Sequence, residues 1–250
     1  MALRRWDAEQ TKQVWSHCSD VLIVAAGTTP AAATAALAAV QHEAGIVVGA
    51  AAVGAPTGPN ADVCVGESVG LATDDCTAWV SFYDSLDGEN WPASWKTECD
   101  SLRTDPCGCQ GTWQKWIVCS AFRDFAHITE IYLLSNTLKG TIPPAFTGMK
   151  HLQSLSLVDT QITGSLPADM GKMAGLQMIW LDHNPSLGGA VPQSLLELGS
   201  NLAVLELHRS NFTGVLPALN YRGIPDCTLN DMVFECPLPA GAETCGAVCH

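Results

Sequence analysis

The stretch ITEIYLLSNTLKGTIPPAFTGMKH, Ile128 to His151, runs directly into LQSLSLVDTQITGSLPADMGKMAG, Leu152 to Gly175. Both are 24 residues long, with apolar residues at positions 1, 4, 6, 11 and 15, glycine at 13 and proline at 16. A third copy starts at Leu176, LQMIWLDHNPSLGGAVPQSLLELGSN, with two residues inserted, and a fourth at Leu202, LAVLELHRSNFTGVLPALNYRG. Internal repetition of this kind governs the reading of every other motif. The L-x-x-L-x-L run alternates, which predicts a short strand with one buried face. Position 9, held by Asn136, Thr160, Asn184 and Ser210, carries a small polar side chain. It can bond to backbone groups where the strand turns away, so that stacked copies form a ladder. Glycine at 13 permits a close or left-handed turn, and proline at 16 ends local hydrogen bonding. One copy cannot bury its own leucines, so the copies stack into a solenoid with one continuous parallel sheet.

The chain on either side extends this pattern. IPDCTLNDMVFECPLP fits a fifth copy, with Ile224 at position 1, Cys227 at 4, Leu229 at 6, Phe234 at 11, Cys236 at 13, Leu238 at 15 and Pro239 at 16. AGAETCGAVCH then brings two more cysteines to tie down the far edge. This reads as a complete solenoid of about five turns and a self-contained module, not a receptor fragment. On the other side, CTAWVSFYDSLDGENWPASW (Cys76 to Trp95) places Trp79, Phe82, Tyr83 and Leu86 at helical spacing, with Asp87 and Gly88 ending the helix. DPCGCQGTWQKWIVCS (Asp105 to Ser120) follows. The first repeat would otherwise expose its core edge, and Trp-rich, disulfide-tied structure covers it. These tryptophans are read as cap core in preference to a ligand site.

The repeats resemble the plant-type leucine-rich repeat, whose L-x-G-x-I-P segment reads here LKGTIP, ITGSLP, LGGAVP and FTGVLP. The repeats alone cover about half of the chain. The preceding region resembles that family's D-P-C…W-x-G-V-x-C cap, with Lys115, Trp116 and Ile117 in place of the usual central residues. The fold implied is an α/β solenoid: a short right-handed superhelix with one parallel sheet of about five strands on its concave face and disulfide-stapled caps. Cys107 or Cys109 is expected to pair with Cys119. The insertion near Pro185 and Ser186 departs from the pattern, so the strand exit is expected to bulge there. The resemblance implies extracellular binding of a protein or glycan, as in plant receptor ectodomains, polygalacturonase inhibitors and repeat-bearing surface antigens of protists. The Ala-rich opening and Cys-rich close look more like the protist members. No kinase domain, anchor or lipid-attachment tail follows the repeats, so the chain is not expected to signal by itself.

Bulk composition narrows the partner class. The 250 residues carry a formal net charge of −13 and only 15% charged side chains, with no basic run. Nucleic acid is therefore not an expected partner, and an acidic surface disfavours anionic lipid. Eleven cysteines are placed unevenly. Cys64, Cys76, Cys99, Cys107, Cys109 and Cys119 precede the repeats, and Cys227, Cys236, Cys245 and Cys249 follow them. That distribution, without paired Cys-x-x-Cys knuckles, favours disulfides in an oxidising compartment over structural zinc. The odd cysteine, Cys18, lies in an Ala/Gly-rich segment, residues 1–63, read as signal-like or low-complexity and poorly ordered. It is too interrupted by Gly, Pro and Thr for a transmembrane helix, and no membrane span is expected after it. Residues 64–127 are read as the cap, 128–223 as four repeats and 224–250 as the degenerate fifth repeat with its closing cap.

Stacking in register predicts columns of side chains on the concave face. Position 5 gives Tyr132, Ser156, Trp180 and Glu206; position 7 gives Leu134, Val158, Asp182 and His208; position 8 gives Ser135, Asp159, His183 and Arg209. With strands ~4.8 Å apart, Asp182 is expected beside His208, with Asp159 and Arg209 flanking His183. An exposed tryptophan on a sheet face favours a binding hot spot. The predicted contact surface is Tyr132, Asp159, Trp180, Asp182, His183, Glu206, His208 and Arg209. An ordinary solvated face is the plainer alternative. A metal or acid–base site on Asp182, His183 and His208 is the least favoured, because the sequence supplies neither a third committed ligand nor a pocket.

No phosphate loop, G-x-S-x-G elbow or H-E-x-x-H occurs, so no enzyme and no cofactor is expected. N-F-T at Asn211 is the sole N-glycosylation sequon, with Asn211 facing outward between Ser210 and buried Phe212. The function expected is non-catalytic recognition by a secreted or surface-exposed monomer. Inhibition of a secreted hydrolase and a structural, adhesive wall role are the alternatives.

Overall fold

The computed structural model describes residues 63–98, 101–108, 116–122, 125–134 and 137–250. The 1–62 segment, Cys18, Cys99, Cys109, Ser135 and Asn136 lie outside the described residues. The order begins with helix α1 (Thr73–Ser85) and short helix α2 (Ala93–Glu98). Strands β1 (Ile117–Phe122), β2 (Phe125–Tyr132) and β3 (Lys139–Thr141) follow, then β4 (Ser154–Ser156), β5 (Gln161–Thr163), β6 (Met178–Trp180) and β7 (Gly188–Ala190). The chain closes with β8 (Val204–Glu206), β9 (Asn211–Thr213), β10 (Asp226–Thr228), β11 (Val233–Phe234) and β12 (Val248–Cys249).

The main sheet has the order β1-β2-β4-β6-β8-β10. Its last five strands are parallel and in register, so Ile131, Leu155, Ile179, Leu205 and Cys227 stand in one inward column. Cys227 thus occupies the core position of a fifth repeat, as the spacing predicts. The sixth strand, β1, pairs antiparallel with β2 through a bulge at Val118/Cys119. It comes from the cap and occupies the edge that β2 would otherwise offer. Position 1 and 6 residues of successive coils, such as Leu152, Leu176, Leu157 and Leu181, are fully buried. On the opposite side, β3 pairs with β5 and β7 with β9, and short 3-10 turns complete each coil.

The polar ladder forms where the strands exit. Asn184 Oδ1 accepts from Thr160 N (2.9 Å) and Thr160 Oγ1 (2.5 Å), while its Nδ2 donates to Leu157 O (2.6 Å) and Leu181 O (2.9 Å). Ser210 Oγ donates to Leu181 O (2.8 Å) and accepts from Asn184 N (3.3 Å). At the third strand exit the backbone follows its neighbours through the left-handed residue before Asn184. His183 has φ +57°, matching Asp159 (+54°) and Arg209 (+55°) at the same position of the neighbouring coils. The insertion is taken up one step later, in the turn at Pro185 and Ser186, where Leu187 N donates to Asn184 O. The other added residue falls in the following Gln193–Asn201 region, two short 3-10 turns separated by a kink at Gly199 (φ +56°).

The cap is an aromatic chain. Phe146 of the first repeat packs on Phe82 (centroids 4.8 Å), and Phe82, Trp79, Trp91, Trp95 and Trp116 continue it ring to ring. The buried indole N–H groups of Trp79 and Trp91 are satisfied, Trp79 Nε1 by Leu102 O and Trp91 Nε1 by Leu86 O. Gly140, at φ +121°, must be glycine, because a Cβ there would stand 2.0 Å from Ser85 O at the end of α1. Disulfides Cys64–Cys76 and Cys107–Cys119 staple this end, and Cys227–Cys245 and Cys236–Cys249 the other. The ladder generates a first prediction. Replacing Asn184 with Ala strands several buried backbone groups and should cost roughly 2–4 kcal/mol. Denaturant unfolding should show a lower midpoint at unchanged slope.

Candidate functional site

Register places Tyr132, Ser156, Trp180, Glu206 and Thr228 side by side on the concave face. Tyr132 and Trp180 approach to 6.3 Å between centroids, across the small Ser156. Ser156 lies in that face and is nevertheless only 5% exposed. Trp180 is correspondingly half-buried, not exposed as the alternation alone implied. Its indole is held by its neighbour at low entropic cost, as an anchor for a partner requires.

At position 7, Leu134 is exposed as expected, but Asp182 is not. Asp182 is 6% exposed, and His183 and His208 cluster against it. His183 Nδ1 lies 2.7 Å from Asp182 Oδ2, and His208 Nε2 lies 3.9 Å from the same oxygen. Arg209 NH1 lies 2.8 Å from His183 Nε2. A guanidinium only donates, so Nε2 accepts, and the proton of the neutral ring sits on Nδ1 facing the carboxylate. Arg209 Nε is also 3.9 Å from Asp231 Oδ2. The expected neighbours Asp182/His208 and His183/Arg209 are therefore together. Asp159 joins through its backbone N–H, which donates to Asp182 O at 3.3 Å. Position 8 is not strand in any of these coils, since its residues are left-handed turn residues, a conformation Asp and His tolerate better than most. Burial pushes the Glu206 carboxyl above the ordinary carboxylate range, reinforced by Asp226 and Asp182 and opposed by His208.

A second cluster escaped the column reading. His127 and His151 stack at 3.9 Å between centroids, and Asp75 Oδ2 lies 3.0 Å from His127 Nδ1 while its Oδ1 accepts from Ile128 N (3.1 Å). With Thr73, Asp74, Gly148 and Lys150 these residues line a cavity of about 380 Å³. The two histidines are 24 residues apart, one repeat period, which was the available signal. Asp75 comes from α1, and only the packed cap brings it there. The glycosylation candidate Asn211 is exposed on β9 between buried Ser210 and Phe212.

Residues 120–185 match the family model described as leucine rich repeat. That segment of the chain carries leucine-rich repeats. Among solved structures, the ectodomain of the receptor kinase SOBIR1 from Arabidopsis thaliana is similar over 72% of this chain and 93% of its own, at 19% identity and TM-score 0.55. A chain of the BIR3–SERK2 complex from Arabidopsis thaliana is similar over 66% of this chain and 85% of its own (23% identity, TM-score 0.52). A chain of the PEPR1–AtPEP1 structure is similar over 72% of this chain but 25% of its own (20% identity, TM-score 0.55). At these identities the likeness speaks for the fold. No curated protein sequence matches significantly.

The Asp75 environment yields a pH prediction. Burial holds its carboxyl above the ordinary range, with the His127 and Ile128 hydrogen bonds opposing. The folded chain therefore holds this proton more tightly than the unfolded chain. The stability it contributes is full below the unfolded value of about 3.9 and is lost as pH rises through the folded one. Relative to Asp75→Asn, wild-type unfolding free energy should thus fall with rising pH across that window, measured by urea titration at stepped pH.

Proposed function

We propose that this protein is a non-catalytic recognition module that works outside the cell and binds a protein or peptide partner through its concave sheet. The observation that carries this reading is the Tyr132–Trp180 pair, packed across Ser156 and bordered by acidic groups. An aromatic anchor of restricted mobility, flanked by Glu130 and Glu206, suits a partner with an apolar side chain beside Lys or Arg. Crowded carboxylates around Glu206 gain from such a cation. The four disulfides among the described residues support an oxidising compartment. No described helix is long and apolar enough to cross a membrane. Solved structures with this fold include two captured with a second component, BIR3 with SERK2 and PEPR1 with AtPEP1. That is the use of the scaffold proposed here.

The domain layout belongs to the same proposal: residues 64–127 close one end, 128–223 form the recognition surface, and 224–250 close the other. Hydrolase inhibition would be a special case of concave-face binding, in which the partner is the enzyme. The decisive experiment is capture from the native extracellular fluid, partner identification, and titration of the purified pair. Trp180→Ala should weaken binding at least about tenfold, the equivalent of 1.4 kcal/mol, while thermal unfolding stays within a few degrees. Undiminished binding by the folded variant would remove the concave face from the interface. Asn211 is proposed to carry an N-linked glycan. Glycosidase treatment of the natively produced protein should lower its mass, and Asn211→Gln should abolish that shift.

A further inference from the structure

We propose that Asp182, His183 and His208 form a binding site for a divalent late first-row transition metal, open toward the concave face. The proposal is independent of the partner reading. It rests on three observations. The first is proximity: one ligand atom from each residue lies within 4.8 Å of the others. A tetrahedral ion with bonds of ~2.0–2.1 Å needs ligand atoms about 3.4 Å apart. The 2.7 Å and 3.9 Å separations about Asp182 Oδ2 bracket that value, so small side-chain rotations suffice.

The second is unfinished hydrogen bonding. Asp182 Oδ1 and His208 Nδ1 are buried without a hydrogen-bond partner among the described residues. The Asp182 side chain is only 8% exposed. A buried carboxylate oxygen without a donor is costly, and an ion bound by that carboxylate would offset the cost. The third is rigidity of the frame. Asp182 and His183 directly precede the ladder residue Asn184, and His208 holds the corresponding place one coil later, before Ser210. Two imidazoles and one carboxylate suit Zn²⁺, Ni²⁺ or Co²⁺ and leave positions for water or a group brought by a partner.

Arg209 makes the proposal unusually exposed to refutation. When His183 Nδ1 binds the ion, the ring proton must sit on Nε2, which Arg209 NH1 now faces at 2.8 Å. The proton relocates from Nδ1 to Nε2 through solvent, and the ring stays neutral. Arg209, largely exposed and 3.9 Å from Asp231 Oδ2, must then leave Nε2 for Asp231 or water. Arg209 therefore opposes metal binding, and its removal should help.

The test is calorimetric titration of the full chain with ZnCl2. Saturable 1:1 binding is expected, at least tenfold weaker in His183→Ala and in His208→Ala, a loss that even outer-shell partners of a metal site can cause. Arg209→Ala should bind a few-fold tighter than wild type, which a merely structural role for Arg209 does not produce. With Co²⁺, the spectrum should show nitrogen and oxygen ligation without a thiolate charge-transfer band, which separates this site from free cysteine. No saturable binding up to about 1 mM, a free energy near −4 kcal/mol, would overturn the proposal. So would unchanged affinity in both histidine variants. If those variants do not fold, imidazole NMR signals of His183 and His208 in the wild type must shift with Co²⁺, and their constancy refutes the site.

Discussion

The amide of Asn184 bonds upstream to the Leu157 carbonyl and to both donors of Thr160, and within its own coil to Leu181 O. Everything on the concave face depends on that ladder. Parallel strands of three residues have too few backbone hydrogen bonds to hold a coil in place. Buried side-chain bonds at the strand exits supply the missing specification, in surroundings where an unmade bond is expensive. The residue before each of these rungs, Asp159, His183 or Arg209, takes a left-handed conformation.

The ends of the solenoid solve a different problem. A stacked core has two apolar edges, and each is covered by a different device. At the first, antiparallel β1 completes the sheet while a run of aromatic rings from Phe82 to Trp116 fills the core behind it. At the last, a degenerate repeat replaces two pattern positions with Cys227 and Cys236, and the final segment folds back through two disulfides and the β11–β12 pairing. Covalent closure stands in for burial that no further coil provides.

The concave face carries two chemistries. Leu134, Val158, Tyr132 and Trp180 are apolar or aromatic, whereas Glu130, Glu206, His208, Asp182 and Asp226 are polar and mostly acidic. Trp180 and Asp182 sit two residues apart on one coil. A partner lying along the sheet would touch both, so aromatic anchoring and the histidine cluster are neighbours without being one device.

Period and register were open to reading from the chain alone. Five copies of one leucine pattern fix which residues turn inward, since a coil cannot bury them otherwise, and equal spacing fixes which residues become neighbours. The Tyr132–Trp180 column, the Asp182–His208 contact and the core place of Cys227 all follow from that arithmetic. Depth, conformation and contacts from outside the repeats do not. Whether Trp180 is exposed depends on how far Tyr132 leans across Ser156. Asp182 is buried because two imidazoles close over it, and Asp75 reaches His127 only because the cap helix docks beside the first coil. Repetition acts through local pattern, which sequence records directly. Burial and cap packing arise from many side chains settling against each other at once, and only the folded molecule decides them.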